Sequence, residues 1–272
     1  MVGTRIPTQI LANVPFGGSP VSLGPVTTSS SVTLDSASNT WVYFGTGRHL
    51  SQADKSDADR QYLVGVKDSV SSQSCTQTTE TDCLDENFLD VSSAQICVSC
   101  VSGTQVSGVG STTTFSDLKI SIQGGKLSDG STVTAKDGWV VALWVPSPLP
   151  SDKGAERSVV NSTLIGGAIF FPTFIPDSDI CASTGSSNLY AMYYLTGTAY
   201  TDPILGTDAA GVSKRSISLG DGLASSVAIQ IGAQPTGVAG FYQSSNSVTG
   251  KVKPVVETLP WSQYVSWMSQ RS

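Results

Sequence analysis

Residues 41–68 read WVYFGTGRHLSQADKSDADRQYLVGVKD. An apolar strand pattern runs into Gly45, Thr46 and Gly47, a polar loop follows, and a second strand closes on Val66, Lys67 and Asp68. Glycines on either side of Thr46 let the backbone turn where side chains would clash. Outward from this stretch, strand patterns dominate. In residues 118–123, LKISIQ, apolar and polar residues alternate, which predicts a half-buried strand over 118–122. Residues 227–231 alternate in the same way, while 168–174 and 189–195 are continuously apolar and read as strands buried on both faces. Gly166-Gly167, Thr196-Gly197 and Asp221-Gly222 supply turn chemistry between them. No amphipathic helix stands out, and the tail over 261–268 is open between helix and strand. The fold class is therefore all-β, built as a sandwich, a barrel or a propeller.

Composition narrows the function classes. Charged residues make up 13% of the chain, against about a quarter in an average protein. Ser, Thr and Gly take their place, which suits an exported, turn-rich β-protein. Net charge is −6, and no basic footprint for nucleic acid is visible. No stretch reaches the roughly 18 apolar residues of a membrane-spanning helix. The single histidine, His49, would have to serve any Ser-His-Asp triad or His-rich zinc site, and its place at a strand end reads as ring packing. No Gly-x-Ser-x-Gly elbow, phosphate loop or dinucleotide fingerprint is present. No catalytic, cofactor-binding or metal-binding residue is assigned.

Five cysteines are present: Cys75, Cys83, Cys97, Cys100 and Cys181. An oxidising compartment would pair the four that fall close together. Cys75, Cys83, Cys97 and Cys100 are thus the disulfide candidates. Local pairing, Cys75 with Cys83 and Cys97 with Cys100, is the simplest of the connectivities. The Cys-x-x-Cys spacing at 97–100 also admits metal binding or redox chemistry, but no His follows Cys100 and no second pair has ribbon spacing. These four lie in a Ser-, Thr- and Gln-rich stretch, 69–110, that lacks sustained periodicity and reads as an inserted excursion. Asp54, Asp57 and Asp59 fail the spacing of a calcium loop, Asp177 and Asp179 alternate correctly but nothing after them completes one, and both clusters read as solvated acidic loops.

The segment 41–68 resembles a signature of the PilC/PilY family, the tip-associated proteins of type IV pili. Three landmarks match in order downstream. Residues 138–176 resemble the family's Gly-Trp strand, Glu-Arg step (Glu156, Arg157), Gly-Gly hairpin and Phe-rich strand. Cys181, the Leu189-Tyr190-Ala191 run and the Thr196-Gly197 turn follow. Residues 222–227, GLASSV, and the Ser266-Trp267 pair complete the series.

The resemblance covers most of the chain from about residue 25 and matches the C-terminal part of a longer protein, so 1–272 is read as a piece of such a chain. It implies about three blades of a quinoprotein-like β-propeller, interrupted by the 69–110 insertion. It also implies an extracellular place at the pilus tip or outer-membrane surface, and a non-enzymatic role in pilus assembly and adhesion. The implied partners are minor pilins, a host or abiotic surface, and the missing N-terminal region or another chain that completes the propeller. Family members carry a calcium loop in this domain, and no residues here can be matched to it. A quinoprotein-type enzyme and a secreted carbohydrate-binding module are the alternatives.

Overall fold

A computed structural model describes residues 14–16, 19–21, 23–68, 88–100, 105–147, 152–179, 185–231, 238–245 and 249–252. The first strands in chain order are β1 (Val14–Phe16), β2 (Ser19–Val21), β3 (Ser31–Leu34), β4 (Thr40–Gly45), β5 (Tyr62–Asp68), β6 (Phe88–Asp90), β7 (Gln95–Cys97) and β8 (Val106–Ser107). After helix α1 (Phe115–Gln123) come β9 (Gly125–Lys126), β10 (Thr132–Val133), β11 (Gly138–Ala142), β12 (Thr163–Ile165), β13 (Ala168–Pro176) and β14 (Gly185–Tyr193). The last are β15 (Val212–Ser213), β16 (Ser216–Asp221), β17 (Ala228–Ile231), β18 (Val238–Gln243) and β19 (Thr249–Val252). The protein is all-β, with several small sheets.

Three sheets carry the architecture. One runs β3-β4-β5-β11-β6, a second β12-β13-β14-β16, and a third β17-β18-β19. Their side chains form three apolar clusters that alternate with the sheets. On β4, Trp41 and Tyr43 point into the main cluster, where they meet Trp139 and Val141 of β11 and Ile169 and Phe171 of β13. Phe44, on the opposite face of β4, joins Val64, Phe88 and Val140 in another cluster. On β13 the neighbours Ala168 and Phe170 face a third cluster with Val227 and Val252. Period-2 geometry thus buries both faces of β4 and β13, which is why their sequences read as continuously apolar. The arrangement is a stack of sheets, face on face.

The strands expected over 41–44, 168–174, 189–195 and 227–231 fall on β4, β13, β14 and β17, with small differences at the ends. The Gly166-Gly167 turn joins β12 to β13 in register, since Ile165 pairs with Ala168. Both glycines have positive φ, 56° and 81°, as a two-residue hairpin of the primed type requires. The 261–268 tail lies outside the described residues.

The strand expected over 118–122 is instead helix α1. The alternating LKISIQ pattern also suits a helix, because Leu118 and Ile122 are one turn apart, and Phe115 extends the same face. All three are buried. The Thr114 side chain accepts the Asp117 amide at 3.1 Å, capping the first turn, and Gly124 ends the helix with φ 82°. Cap and face lie partly outside the six-residue window that suggested alternation.

The expected insertion also differs in its described second half. β6 joins the five-stranded sheet, running parallel to β11, while Val91, Ile96, Val106 and Val109 enter the main cluster. Strands of two and three residues are too short to show periodicity in sequence.

Candidate functional site

The signature loop is closed by hydrogen bonds to parts of the chain distant in sequence. Thr46 donates its amide to the Tyr62 carbonyl at 2.8 Å and accepts the Ser158 amide at 2.9 Å. Its hydroxyl accepts the Tyr62 amide at 2.8 Å. Gly47 donates to the Pro25 carbonyl at 2.7 Å. A Cβ on Gly47 would fall 2.5 Å from Arg157 Cβ, and its φ of 133° disfavours any side chain.

Asp54 organises the loop that follows. Its carboxylate accepts the amides of Leu50 and Ser51 at 2.9 and 2.8 Å, the Ser51 hydroxyl at 3.0 Å and Arg48 Nε at 2.7 Å. At 1% exposure it is not the solvated carboxylate expected from sequence. One oxygen accepts three of these donors and the other is paired with the Arg48 guanidinium, so the carboxylate serves the loop itself. The backbone donor Leu50, then Ser51 and Arg48, hold its pKa well below the ordinary 3.8. A depressed carboxylate pKa contributes stability that is complete above the ordinary value and is lost as pH falls below it. Asp35, lowered by Asn39 and Trp41 donors although burial opposes them, acts in the same direction. The expected result is a urea midpoint that falls with pH below 3.8, and falls less steeply in Asp54→Asn. Parallel pH profiles of the two proteins would refute this account.

Arg157 is the hub beneath this loop, 1% exposed. Nη1 donates to the carbonyls of Arg48 and Asp54 at 2.9 and 2.7 Å. Nη2 donates to Asp57 O at 2.8 Å and Nε to Ala155 O at 2.9 Å. The planar fork of guanidinium donors matches several carbonyls at fixed angles, as an ammonium does not. Its neighbour Glu156, also 1% exposed, points to the other side. One carboxylate oxygen accepts Thr173 Oγ1 at 2.5 Å and Asn188 Nδ2 at 2.8 Å. The other accepts Tyr190 Oη at 3.1 Å and the Trp144 amide at 3.2 Å. Burial, with the Glu156 carboxylate beside it, pushes the Tyr190 hydroxyl up. The Glu-Arg step therefore ties the signature loop, through Arg157, to the four-stranded sheet, through Glu156.

His49 packs its ring edge-on against Phe174, centroids 5.2 Å apart. Burial first, then Arg157 and Lys55, lowers its pKa and favours the neutral ring. It has the packing place expected for it. Cys97 and Cys100 form a disulfide with Cα atoms 5.7 Å apart. It holds the turn after β7, where the amides of Val98 and Ser99 both reach Gly211 O, at 3.0 and 3.3 Å. Cys75, Cys83 and Cys181 lie outside the described residues. Asp57 and Asp177 each turn Oδ1 back to an amide two residues on, Asp59 at 2.9 Å and Asp179 at 3.1 Å. Among the described residues no group of three or more His, Cys, Asp or Glu side chains could hold a metal ion. The calcium that the resemblance brings with it thus finds no fitting set there.

The sequence had pointed to Asn188 only as the residue that opens the Leu189-Tyr190-Ala191 run, and not to Thr173 or Arg215. Thr173 and Asn188 are cross-strand partners on β13 and β14, and Tyr190 shares their face two residues on. Polar residues within otherwise apolar strands were the available signal.

Two type IV pilus biogenesis factor PilY1 homologs of Xylella fastidiosa align with the chain. One is 27% identical over 176 residues, 64% of this chain and 10% of its own length. The other is 29% identical over 159 residues, 58% of this chain and again 10% of its own length. Over this part the chain is similar to PilY1 homologs. It spans about a tenth of the length of these curated relatives. No family model matches it, and no solved structure does. Among the described residues no helix is long and apolar enough to cross a membrane.

Proposed function

We propose that this PilY1-like chain is a non-enzymatic component of the type IV pilus tip that supports pilus assembly and surface adhesion. The observation that carries the reading is its similarity to pilus biogenesis factors. The way its signature residues are used agrees: Gly47, Glu156 and Arg157 all hold the scaffold together. Such a scaffold presents loops rigidly, as binding proteins do. Minor pilins are the partners this role calls for, on the outer face of the cell, and the surface contacted is host tissue or abiotic material.

The stacked sheets stand as about three blades of a partial propeller. On this reading another chain segment covers the outer sheet faces. Val32 and Leu34 are 58% and 56% exposed on one outer face, and Phe241 on β18 is exposed as well. Edges and faces of this kind are normally covered.

The test is deletion and complementation in the source bacterium, scored by surface pili and by attachment. Deletion should reduce both. His49→Ala, which removes only a packed ring, should restore them nearly fully, whereas Gly47→Val should restore them poorly. Unchanged pili and attachment in the deletion strain would overturn the proposal.

A further inference from the structure

A polar cleft of about 270 Å³ opens between the turn after β6 and the β15–β16 segment. Ser92, Gln95, Ser213, Arg215 and Ser216 are among its lining residues. Its size suits one sugar ring or one amino-acid side chain, since it lies just below the roughly 300 Å³ at which drug-sized pockets begin.

Arg215 sets its character. Nη1 donates to Val91 O at 2.6 Å and Nη2 to Ser92 O at 2.7 Å. These bonds fix the plane of the guanidinium and use two of its five N–H groups. Among the described residues no carboxylate stands in ion-pair contact with it. The groups that act on it, Tyr190 first and then Asp90 and Glu156, do so without a hydrogen bond, and Glu156 is already held by four donors. A guanidinium fixed in place, set at a cleft and lacking a carboxylate partner fits a planar oxyanion.

The walls are preorganised. β7 and β15 pair through Cys97 with Val212 and Ile96 with Ser213, and the Cys97–Cys100 disulfide fastens the end of β7. Ser213 Oγ is buried and has no hydrogen-bond partner, so the wall holds a hydroxyl still to be satisfied. The Ser213 hydroxyl and the exposed Gln95 amide offer neutral hydrogen bonds around the cation, while the Ser216 hydroxyl already meets Tyr190. One positive charge, partly offset by Asp90 and Glu156, matches a singly charged ligand rather than a phosphate or sulfate ester.

We propose that this cleft binds a carboxylate, anchored on Arg215 and flanked by Gln95 and Ser213. The proposal does not depend on the pilus reading, because it concerns binding by the purified chain. The carboxylate has two chemical sources, an acidic sugar or an acidic amino-acid side chain, and the experiment separates them.

Glucuronate, N-acetyl-aspartate amide and, as the neutral control, glucose are titrated into the full chain with its disulfide intact, followed by NMR chemical shifts. The expected result is saturable binding of at least one acid, with a dissociation constant on the order of 1 mM, and none of glucose. Which acid saturates names the source. Gln95→Glu and, separately, Ser93→Asp place a competing carboxylate at exposed positions beside Arg215. Each should weaken binding about tenfold or more while leaving the melting temperature unchanged. Arg215→Lys should weaken it too, by loss of the planar fork. No saturation by either acid, equal binding of glucose, or undiminished binding in the folded Gln95→Glu and Ser93→Asp proteins would overturn the proposal.

Discussion

Arg157→Ala is expected to remove most of the stability of the chain. The substitution leaves the carbonyls of Arg48, Asp54 and Ala155 without the donors they now share, while the Asp57 carbonyl keeps the Ala155 amide at 2.8 Å. An orphaned buried acceptor costs about 1–3 kcal/mol, so three sum to about 3–9 kcal/mol, and solvent entering the cavity would recover part of it. Against a typical total of about 5–15 kcal/mol, that is a large share of the whole and brings the protein close to unfolding. Arg157→Lys should recover little, because three donors on one nitrogen cannot reproduce the fork. Urea unfolding of both variants is the measurement. A midpoint within error of the wild type for Arg157→Ala would show that the loop, not the guanidinium, holds this region. Loss of soluble protein with Arg157→Ala, together with full stability of Arg157→Lys, would assign the role to charge alone.

Trp139→Ala is expected to be comparably severe, for a different reason. Trp139 is fully buried at the centre of the main cluster. Its ring lies so close to Gly65 that a Cβ there would come within 2.4 Å of it. Its indole N–H donates to the Tyr194 carbonyl at 2.8 Å, which links the five-stranded sheet to the end of β14. Truncating a buried Trp costs about 3–5 kcal/mol, combining lost transfer energy with the cavity left behind. Trp139→Phe should fall between, keeping most of the volume but leaving Tyr194 O without its donor. Thermal and urea unfolding read the series. A Trp139→Ala protein as stable as Trp139→Phe would mean that the region collapses around the gap.

The two residues also divide what sequence can show. Trp139 sits in a Gly-Trp strand whose apolar run announces burial. Arg157 was visible only as half of a Glu-Arg step, and nothing near it in sequence names its partners. Apart from Ala155 O, those partners lie 100 to 109 residues away, brought together where Ser158 bonds Thr46 and Ala155 bonds Asp57. The same holds for Asp54. Its acidic neighbours and the intervening Lys55 suggested a solvated loop, while the turn made by Leu50 and Ser51 folds their amides onto it.

Local sequence sufficed for the all-β class, the places of β4, β13, β14 and β17, the Gly-Gly hairpin, and the likeness to pilus biogenesis factors. Each of these rests on local information: side-chain period, the backbone freedom of glycine, or motif order. Tertiary structure alone decided that 115–123 is a helix, because a two-position apolar pattern is shared by both periods and only the cap and the Phe115 contact separate them. It alone decided that β6 enters the five-stranded sheet, that Glu156 and Arg157 bridge a loop and a sheet, and that Arg215 stands at a cleft without a carboxylate partner. Those facts depend on which distant segments meet, and pairing over such separations leaves no periodic mark in the chain.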